Sequence, residues 1–190
     1  MMKMAAALIA LFVFVLFVFA QTGAALAQLQ NENLLVTMPQ GFKVGFQDRK
    51  NNIQISEMVP VKETVQNWTE MVTVQIFFGL KTTPGAFKDR IAKGWASACP
   101  GGGAHPVSSD AENGYPALIW VLSCERNPAT GKPEITWFKA VQGNDSFYVV
   151  QKAFRFEPGQ EQMTKALAYL GSVTVCDSRR KDRACPRARN

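Results

Sequence analysis

Three strand-like runs lie between residues 115 and 156 and are joined by two turns. Residues 117–124 are almost continuously apolar, which is typical of a strand covered on both faces, so we expect this strand to be central in its sheet. Residues 135–141 and 147–156 are rich in β-branched and aromatic side chains, and turn-forming residues separate the runs at 127–131 and 143–145. The pattern predicts an antiparallel meander at the core of the fold.

Two helices are predicted where apolar side chains recur every three or four residues. One begins at Thr83 and Pro84, which suit the N-cap and the first helical position, and it aligns Phe87, Ile91 and Trp95 on one face. The other follows Pro158 and has an apolar stripe made of Met163, Ala166, Leu167 and Leu170. A shorter third helix is expected at residues 63–70.

Further strands are predicted at residues 34–38, 42–47, 53–56 and 72–78, where apolar and β-branched residues alternate or cluster between turn signals. Hairpins of antiparallel strands with helices segregated from them are typical of the α+β class. The sequence therefore predicts a single α+β domain, an antiparallel sheet with helices packed on its faces.

Residues 1–27 are predicted to be a secretory signal peptide. One basic residue, Lys3, precedes an unbroken apolar run at residues 4–20, and Ala25-Leu26-Ala27 fits the small-residue cleavage pattern. A retained membrane anchor is the alternative, because the run lies at the short end of the ~17–25 residues that a spanning helix needs. Cleavage would leave an exported chain that starts at Gln28, in the periplasm or outside the cell, with no stable membrane span.

All four cysteines follow the predicted signal peptide, in a compartment where disulfides persist. We expect the pairs Cys99–Cys124 and Cys176–Cys185, one of the three connectivities that four cysteines allow. The first pair would join the end of a helix to the end of the apolar strand. No Cys-x-x-Cys spacing is present, so the sequence predicts no zinc site, and no other metal or cofactor is expected.

The basic residues in excess lie at the C-terminus. Residues 28–177 balance 14 basic against 14 acidic residues, whereas residues 178–190 form a basic tail with one acidic residue. The candidate anion-binding residues of this tail are Arg179, Arg180, Lys181, Arg183, Arg187 and Arg189. We expect the tail to be mobile beyond the Cys176–Cys185 loop and its removal after residue 177 to preserve most of the stability. It would either attract an anionic surface or be a solvated end without a role, and export argues against nucleic acid as the partner.

The only histidine, His105, lies in a polar stretch with Cys99, Ser108 and Asp110. A hydrolase or thiol enzyme that uses this Cys99–Asp110 loop is the alternative function. No Gly-x-Ser-x-Gly motif surrounds the serines, and spacing along a loop does not establish the geometry that nucleophilic catalysis needs. We therefore assign no catalytic residue and favour a protein that is not an enzyme.

Four short segments resemble the secreted PsbP-like group, named for an extrinsic photosystem subunit. They are Pro39-Gln40-Gly41-Phe42, Val59-Pro60, Glu63-Thr64 and Trp68-Thr69-Glu70-Met71. The resemblance implies an α/β/α sandwich over most of the mature chain and a non-catalytic adaptor or accessory role, and no functional residue carries over. The predicted function is an exported, non-enzymatic binding or accessory domain whose partner, a protein or an envelope component, the sequence does not identify.

Overall fold

The computed structural model describes residues 29–186, so the predicted signal peptide, Gln28 and the last four residues lie outside the described part of the chain. The strands are β1 Glu32–Leu35, β2 Phe42–Lys50, β3 Ile53–Pro60, β4 Glu70–Phe78, β5 Gly103–Glu112, β6 Tyr115–Cys124, β7 Glu134–Gln142, β8 Ser146–Phe154 and β9 Thr174–Asp177. The helices are α1 Pro84–Ala98 and α2 Gln160–Ser172, and Lys181–Arg183 forms a single 3-10 turn.

Seven strands form one antiparallel sheet in the order β2-β3-β4-β8-β7-β6-β5. The predicted meander is confirmed, because β6, β7 and β8 are consecutive neighbours in it. The strand expected to be central, β6, is paired on both sides but lies next to the edge strand β5, and β8 occupies the middle. The domain is mostly sheet, and it holds two helices among the described residues.

The two helices pack against opposite faces of the sheet because alternate residues of one strand point to opposite sides. Leu118, Trp120 and Leu122 of β6 belong to a cluster with Phe87 of α1. Ile119 and Val121, the residues between them, pack instead against the cluster formed with α2. The near-continuous apolar sequence of β6 thus reflects cover on both faces, as expected for such a strand.

A second, two-stranded sheet closes the side of the domain that carries α2. The strand predicted at residues 34–38 is shifted to β1, which pairs antiparallel with β9 rather than with the large sheet. No strand was predicted at β9. Glu32 at the start of β1 accepts hydrogen bonds from the backbone N–H groups of Asn144, Asp145 and Ser146 at 2.6, 3.0 and 3.2 Å. The β7–β8 turn therefore holds the N-terminal strand in place.

The helix predicted at residues 63–70 is wrong. Residues 61–69 form turns, in which the Glu63 carboxylate accepts hydrogen bonds from the backbone N–H and the hydroxyl of Thr69, both at 2.7 Å. Such local side-chain bonds compete with helical ones. Trp68 is nevertheless buried, as the prediction required, and packs with Val59 and Met71.

The predicted loop at residues 99–110 is also wrong over most of its length, because β5 begins at Gly103 and forms an edge of the large sheet. Its side chains are nearly all exposed, so the hydrophobic pattern carries no strand signal. The ladder between Pro106 and Ser108 shifts register, and a proline is tolerated at an edge where no second ladder is needed. This strand is determined by its pairing with β6, to which the two-residue turn Asn113-Gly114 joins it in a hairpin.

Candidate functional site

Cys99, the nucleophile of the alternative enzymatic hypothesis, is bonded to Cys124 in the structure. The two Cα atoms are 5.8 Å apart, and the bond joins the end of α1 to the end of β6. A thiolate is the reactive form of cysteine, and a disulfide contains none, so a thiol mechanism at Cys99 lacks its nucleophile. Cys176 and Cys185 form the second bond, which gives the same two pairs that the sequence analysis expects.

His105, Ser108 and Asp110 lie along one exposed edge strand but are not brought together as a catalytic group. They make no hydrogen bond with one another within residues 29–186, and Asp110 accepts one from the backbone of Ala111 at 2.7 Å. The imidazole of His105 lies close to Gly103, two residues earlier in the strand. The geometry expected of a nucleophile and its base is absent from this part of the strand.

Arg179, the first basic residue of the tail, is bound to the body of the domain. Its guanidinium group contacts Asp177 and Asp145, each at 2.7 Å. The hydrogen bonds from Arg179 lower the pKa of Asp177 from 3.8 to about 2, against the opposing effect of burial. This carboxylate is therefore ionised throughout the ordinary pH range, and the pair secures the end of β9.

The remaining described cations of the tail differ in their surroundings. Arg183 lies 4.1 Å from the centre of the Tyr115 ring and donates a hydrogen bond to the Gly114 carbonyl at 2.7 Å. Arg180 forms an ion pair with Asp182 at 2.9 Å. Lys181 is exposed and forms no ion pair with a described residue, and Arg187 and Arg189 lie outside the described part. The tail thus packs on the body up to its disulfide, which changes the expected effect of its removal.

A hollow that combines charged and aromatic side chains lies between α2 and the sheet, and we call it the Lys152 cleft. Its volume is about 340 Å³. The residues that line it are Pro39, Phe42, Glu70, Lys152, Phe154, Gln162, Lys165, Ala166 and Tyr169. Those from α2 recur every three or four positions and form one face of the helix, and the others come from the loop before β2 and from strands β2, β4 and β8.

Lys152 forms the floor of the cleft. It is 7% exposed, and its ammonium group donates a hydrogen bond to the Glu70 carboxylate at 2.6 Å. Register explains the pairing, because Glu70 of β4 lies opposite Phe154 of β8 and is thus a diagonal neighbour of Lys152 on the same face. The ammonium nitrogen also lies 4.5 Å from the centre of the Phe42 ring and 5.1 Å from that of Phe154. These rings and one carboxylate compensate its loss of water.

Tyr169 of α2 forms part of the opposite wall. Its hydroxyl donates a hydrogen bond to the Thr37 carbonyl at 3.0 Å, and burial raises the pKa of the phenol to about 12. The ring is therefore neutral and presents an apolar face. The cleft combines a buried cation with aromatic and aliphatic walls, a combination suited to holding a ligand with a hydrogen-bond acceptor at one end.

This site was not predicted from the sequence. The available signal was a lysine in strand β8, at a position that lies on the same face as the buried Tyr148, Val150 and Phe154. A charged residue at a core-facing position is unusual and requires a partner. The partner, Glu70, is 82 residues away in the sequence, so only the folded register identifies it.

Two other hollows have fewer groups available to bind a ligand. One of about 360 Å³ lies beside the first disulfide and is lined by Glu125 and Glu157 among others, with no cation in its lining. A second of about 170 Å³ contains Lys139, whose ammonium group already donates to Glu112 and to the Val173 carbonyl, both at 2.6 Å. Within residues 29–186, no three His, Cys, Asp or Glu side chains are grouped closely enough to hold a metal ion.

Comparison with known proteins identifies no family. No family model matches the chain, no curated protein matches it, and the PsbP-like resemblance is not confirmed. Among solved structures, the chain is similar to LpqN, which is involved in cell envelope biogenesis of Mycobacterium tuberculosis. The TM-score is 0.39 and the identity 11%, over 77% of this chain and 84% of that one. A likeness at this level carries no functional conclusion. No helix of the described segment is both long and apolar enough to cross a membrane.

Proposed function

We propose that this protein is an exported, non-enzymatic accessory domain that binds a small ligand in the Lys152 cleft. The observation that supports this most directly is the buried ammonium group of Lys152 at the floor of a partly aromatic hollow. The volume of about 340 Å³ lies at the lower end of the ~300–1,000 Å³ typical of small-molecule sites. An accessory role toward an envelope component or a partner protein belongs to the same proposal.

Export is supported by the cysteines. All four are joined in two disulfides within the described residues, and such bonds persist mainly in oxidising compartments. The predicted signal peptide at residues 1–27 agrees with this. We therefore place the mature chain in the periplasm or outside the cell, and detection of the chain with an N-terminus at Gln28 in that fraction would test the placement.

Trp137 provides a built-in reporter for the proposed site. Its ring packs edge-on against Phe154, with 5.7 Å between ring centres, and Phe154 lines the cleft. A ligand that enters the cleft should shift Phe154 and change the emission of Trp137. A compound screen by thermal shift, followed by titration of each hit against intrinsic fluorescence, would identify ligands, and a Trp137→Phe variant would show which residue reports them.

A matched pair of substitutions on β2 tests whether hits bind in the cleft. Phe42→Ala removes an aromatic wall, whereas Phe46→Ala removes a ring of the same size that is 43% exposed and outside the cleft. We expect the first variant to weaken binding at least tenfold and the second to leave it unchanged. Hits that bind both variants like the wild type would refute the site.

A second proposal concerns the basic tail, which we expect to attract an anionic surface. It is favoured by the exposed position of Lys181, which has no ion-pair partner in the described part of the chain. Removing residues 187–190 deletes Arg187 and Arg189 but keeps the Cys176–Cys185 loop. We expect this truncation, combined with Lys181→Gln, to abolish co-sedimentation with anionic vesicles at low salt. Unchanged co-sedimentation would refute the proposal.

A further inference from the structure

We propose that the ligand of the Lys152 cleft is an anionic amphipath, an apolar group that carries a carboxylate or a phosphate, with the anionic oxygens bound by Lys152. This inference rests on the proposed function, because it names the class of molecule that the same site would take. Three properties of the cleft support it: the hydrogen-bonding state of the ammonium group, the charge of the lining and the nature of the walls.

The ammonium group of Lys152 is incompletely hydrogen-bonded. A lysine has three N–H donors, and within the described residues Lys152 uses one, to Glu70. Lys139, a second buried lysine on the same face of the sheet, donates both to Glu112 and to the Val173 carbonyl. Both lysines are less than 10% exposed, so the difference does not come from burial. Lys152 thus retains donors that a ligand acceptor in the cleft would fill.

The charge of the lining favours an anion over a cation. Two lysines and one glutamate, Glu70, line the cleft, so the ionised side chains leave one positive charge. Lys165 at the rim is paired with Glu161, but its side chain is 72% exposed and that of Glu161 80% exposed. Exposed pairs of this kind are weak, so Lys165 exchanges its partner for a ligand at small cost.

The walls favour an apolar group behind the anionic end. Phe42 and Phe154 flank the ammonium group, and Ala166, Tyr169 and Pro39 complete the lining. A small inorganic anion would leave these walls without contact. An apolar chain would cover them and gain about fourfold in affinity for each methylene group removed from water.

A series of eight-carbon compounds separates the contributions of charge and chain. Octanoate, octyl phosphate, octanol and octylamine would be titrated by calorimetry below their aggregation limits, with acetate and inorganic phosphate as the headgroups alone. We expect octanoate or octyl phosphate to bind at least tenfold more tightly than octanol, as a charge-assisted hydrogen bond requires, and octylamine and the free headgroups not to bind. The two anions distinguish a carboxylate from a phosphate source.

Three variants test whether Lys152 is responsible for the preference for an anion over octanol. Lys152→Met should remove the advantage of the anion over octanol, and Lys139→Met, its matched control, should keep that advantage. Glu70→Gln removes the competing carboxylate and should tighten binding of the anion several-fold. Because the last effect is a gain, it remains informative if Lys152→Met folds poorly, and circular dichroism of each variant would establish its folding.

Failure of the ligand class and failure of the site give different results. If octanol and octanoate bind with equal affinity, if Phe42→Ala weakens both, and if Lys152→Met leaves their relative affinities unchanged, the anionic ligand would be overturned. The site itself would still be supported. Binding of octanoate that none of the cleft variants alters would overturn both. Absence of binding by either anion, in a protein whose other ligands respond to Phe42→Ala, would also overturn the anionic ligand.

Discussion

Replacing Trp120 with alanine should strongly destabilise the domain, because this side chain connects α1 to the meander. Trp120 is fully buried, and its ring stacks on Phe138 of β7, with 4.8 Å between ring centres and 4° between planes. Phe87 of α1 meets the same ring edge-on at 6.5 Å. Truncation would leave a cavity between the sheet and the helix, bounded by residues that neighbouring strands hold in place.

The expected loss is about 3–5 kcal/mol, the range measured for buried aromatic residues replaced by alanine. A domain of this size has roughly 5–15 kcal/mol of stability in total, and each kcal/mol lowers its melting temperature by about 2–4 °C. Trp120→Phe should cost less than half as much. The indole N–H of Trp120 is buried with no hydrogen-bond partner in the described residues, so phenylalanine removes an unsatisfied donor as well as some volume.

Urea unfolding followed by far-ultraviolet circular dichroism measures these losses without depending on tryptophan emission. Phe46→Ala is the control, since that ring is 43% exposed on an edge strand and its removal should change stability by about 0.5 kcal/mol or less. A loss for Trp120→Ala no larger than that for Phe46→Ala, or a loss for Trp120→Phe equal to that for Trp120→Ala, would contradict the structural role of the Trp120 ring.

Three further perturbations have defined outcomes. The folded-state pKa of Asp177 is about 2, below its usual 3.8. The ionised carboxylate therefore stabilises the folded state above about pH 4, and this contribution is lost as the pH falls toward 2. Because Arg179 lowers this pKa, Arg179→Met should shift acid unfolding to higher pH. Glu32→Ala should cost about 2 kcal/mol in urea unfolding and expose the β1 amides to hydrogen exchange. Replacing both Cys99 and Cys124 with serine should cost about 3 kcal/mol, as judged by thermal unfolding, given the 25-residue separation.

Elements with strong local signals were predictable from the sequence. The helix that begins after Thr83 is an example, because the Thr83 hydroxyl accepts a hydrogen bond from the Ala86 N–H at 3.1 Å, the cap that the residue type predicts. The meander was predictable for the same reason, since its strands are apolar and its turns contain proline, glycine and asparagine. Strand β5 was not predicted because its exposed side chains lack an apolar alternation, although it forms a hairpin with the adjacent β6. Strand β9 was not predicted because it is very short and pairs with β1, which lies far away in the sequence.

The tail shows how composition alone misleads. Its basic residues were expected to form a solvated end or to attract an anionic surface, yet within the Cys176–Cys185 loop Arg179 contacts Asp145 of the β7–β8 turn and Arg183 contacts the Tyr115 ring. Both partners lie more than 30 residues earlier in the chain, so no local sequence pattern predicts these contacts. Removal of residues after Asp177 should therefore lower the melting temperature, contrary to the sequence-based expectation, whereas removal of residues 187–190 leaves these contacts intact.

The two buried lysines differ in role: Lys139 is bonded within the domain, whereas Lys152 retains donors for the proposed ligand. Buried ion pairs contribute little to stability when both partners are replaced, so Lys152→Met with Glu70→Gln should be nearly neutral. Lys139→Met with Glu112→Gln should cost about 1–3 kcal/mol, because the Val173 carbonyl, at a residue only 1% exposed, would lose the donor it has in Lys139. Urea unfolding of the two double variants tests this contrast, and equal losses would refute it. A neutral result for the Lys152–Glu70 pair would support the proposal that this buried charge is retained for the ligand of the Lys152 cleft.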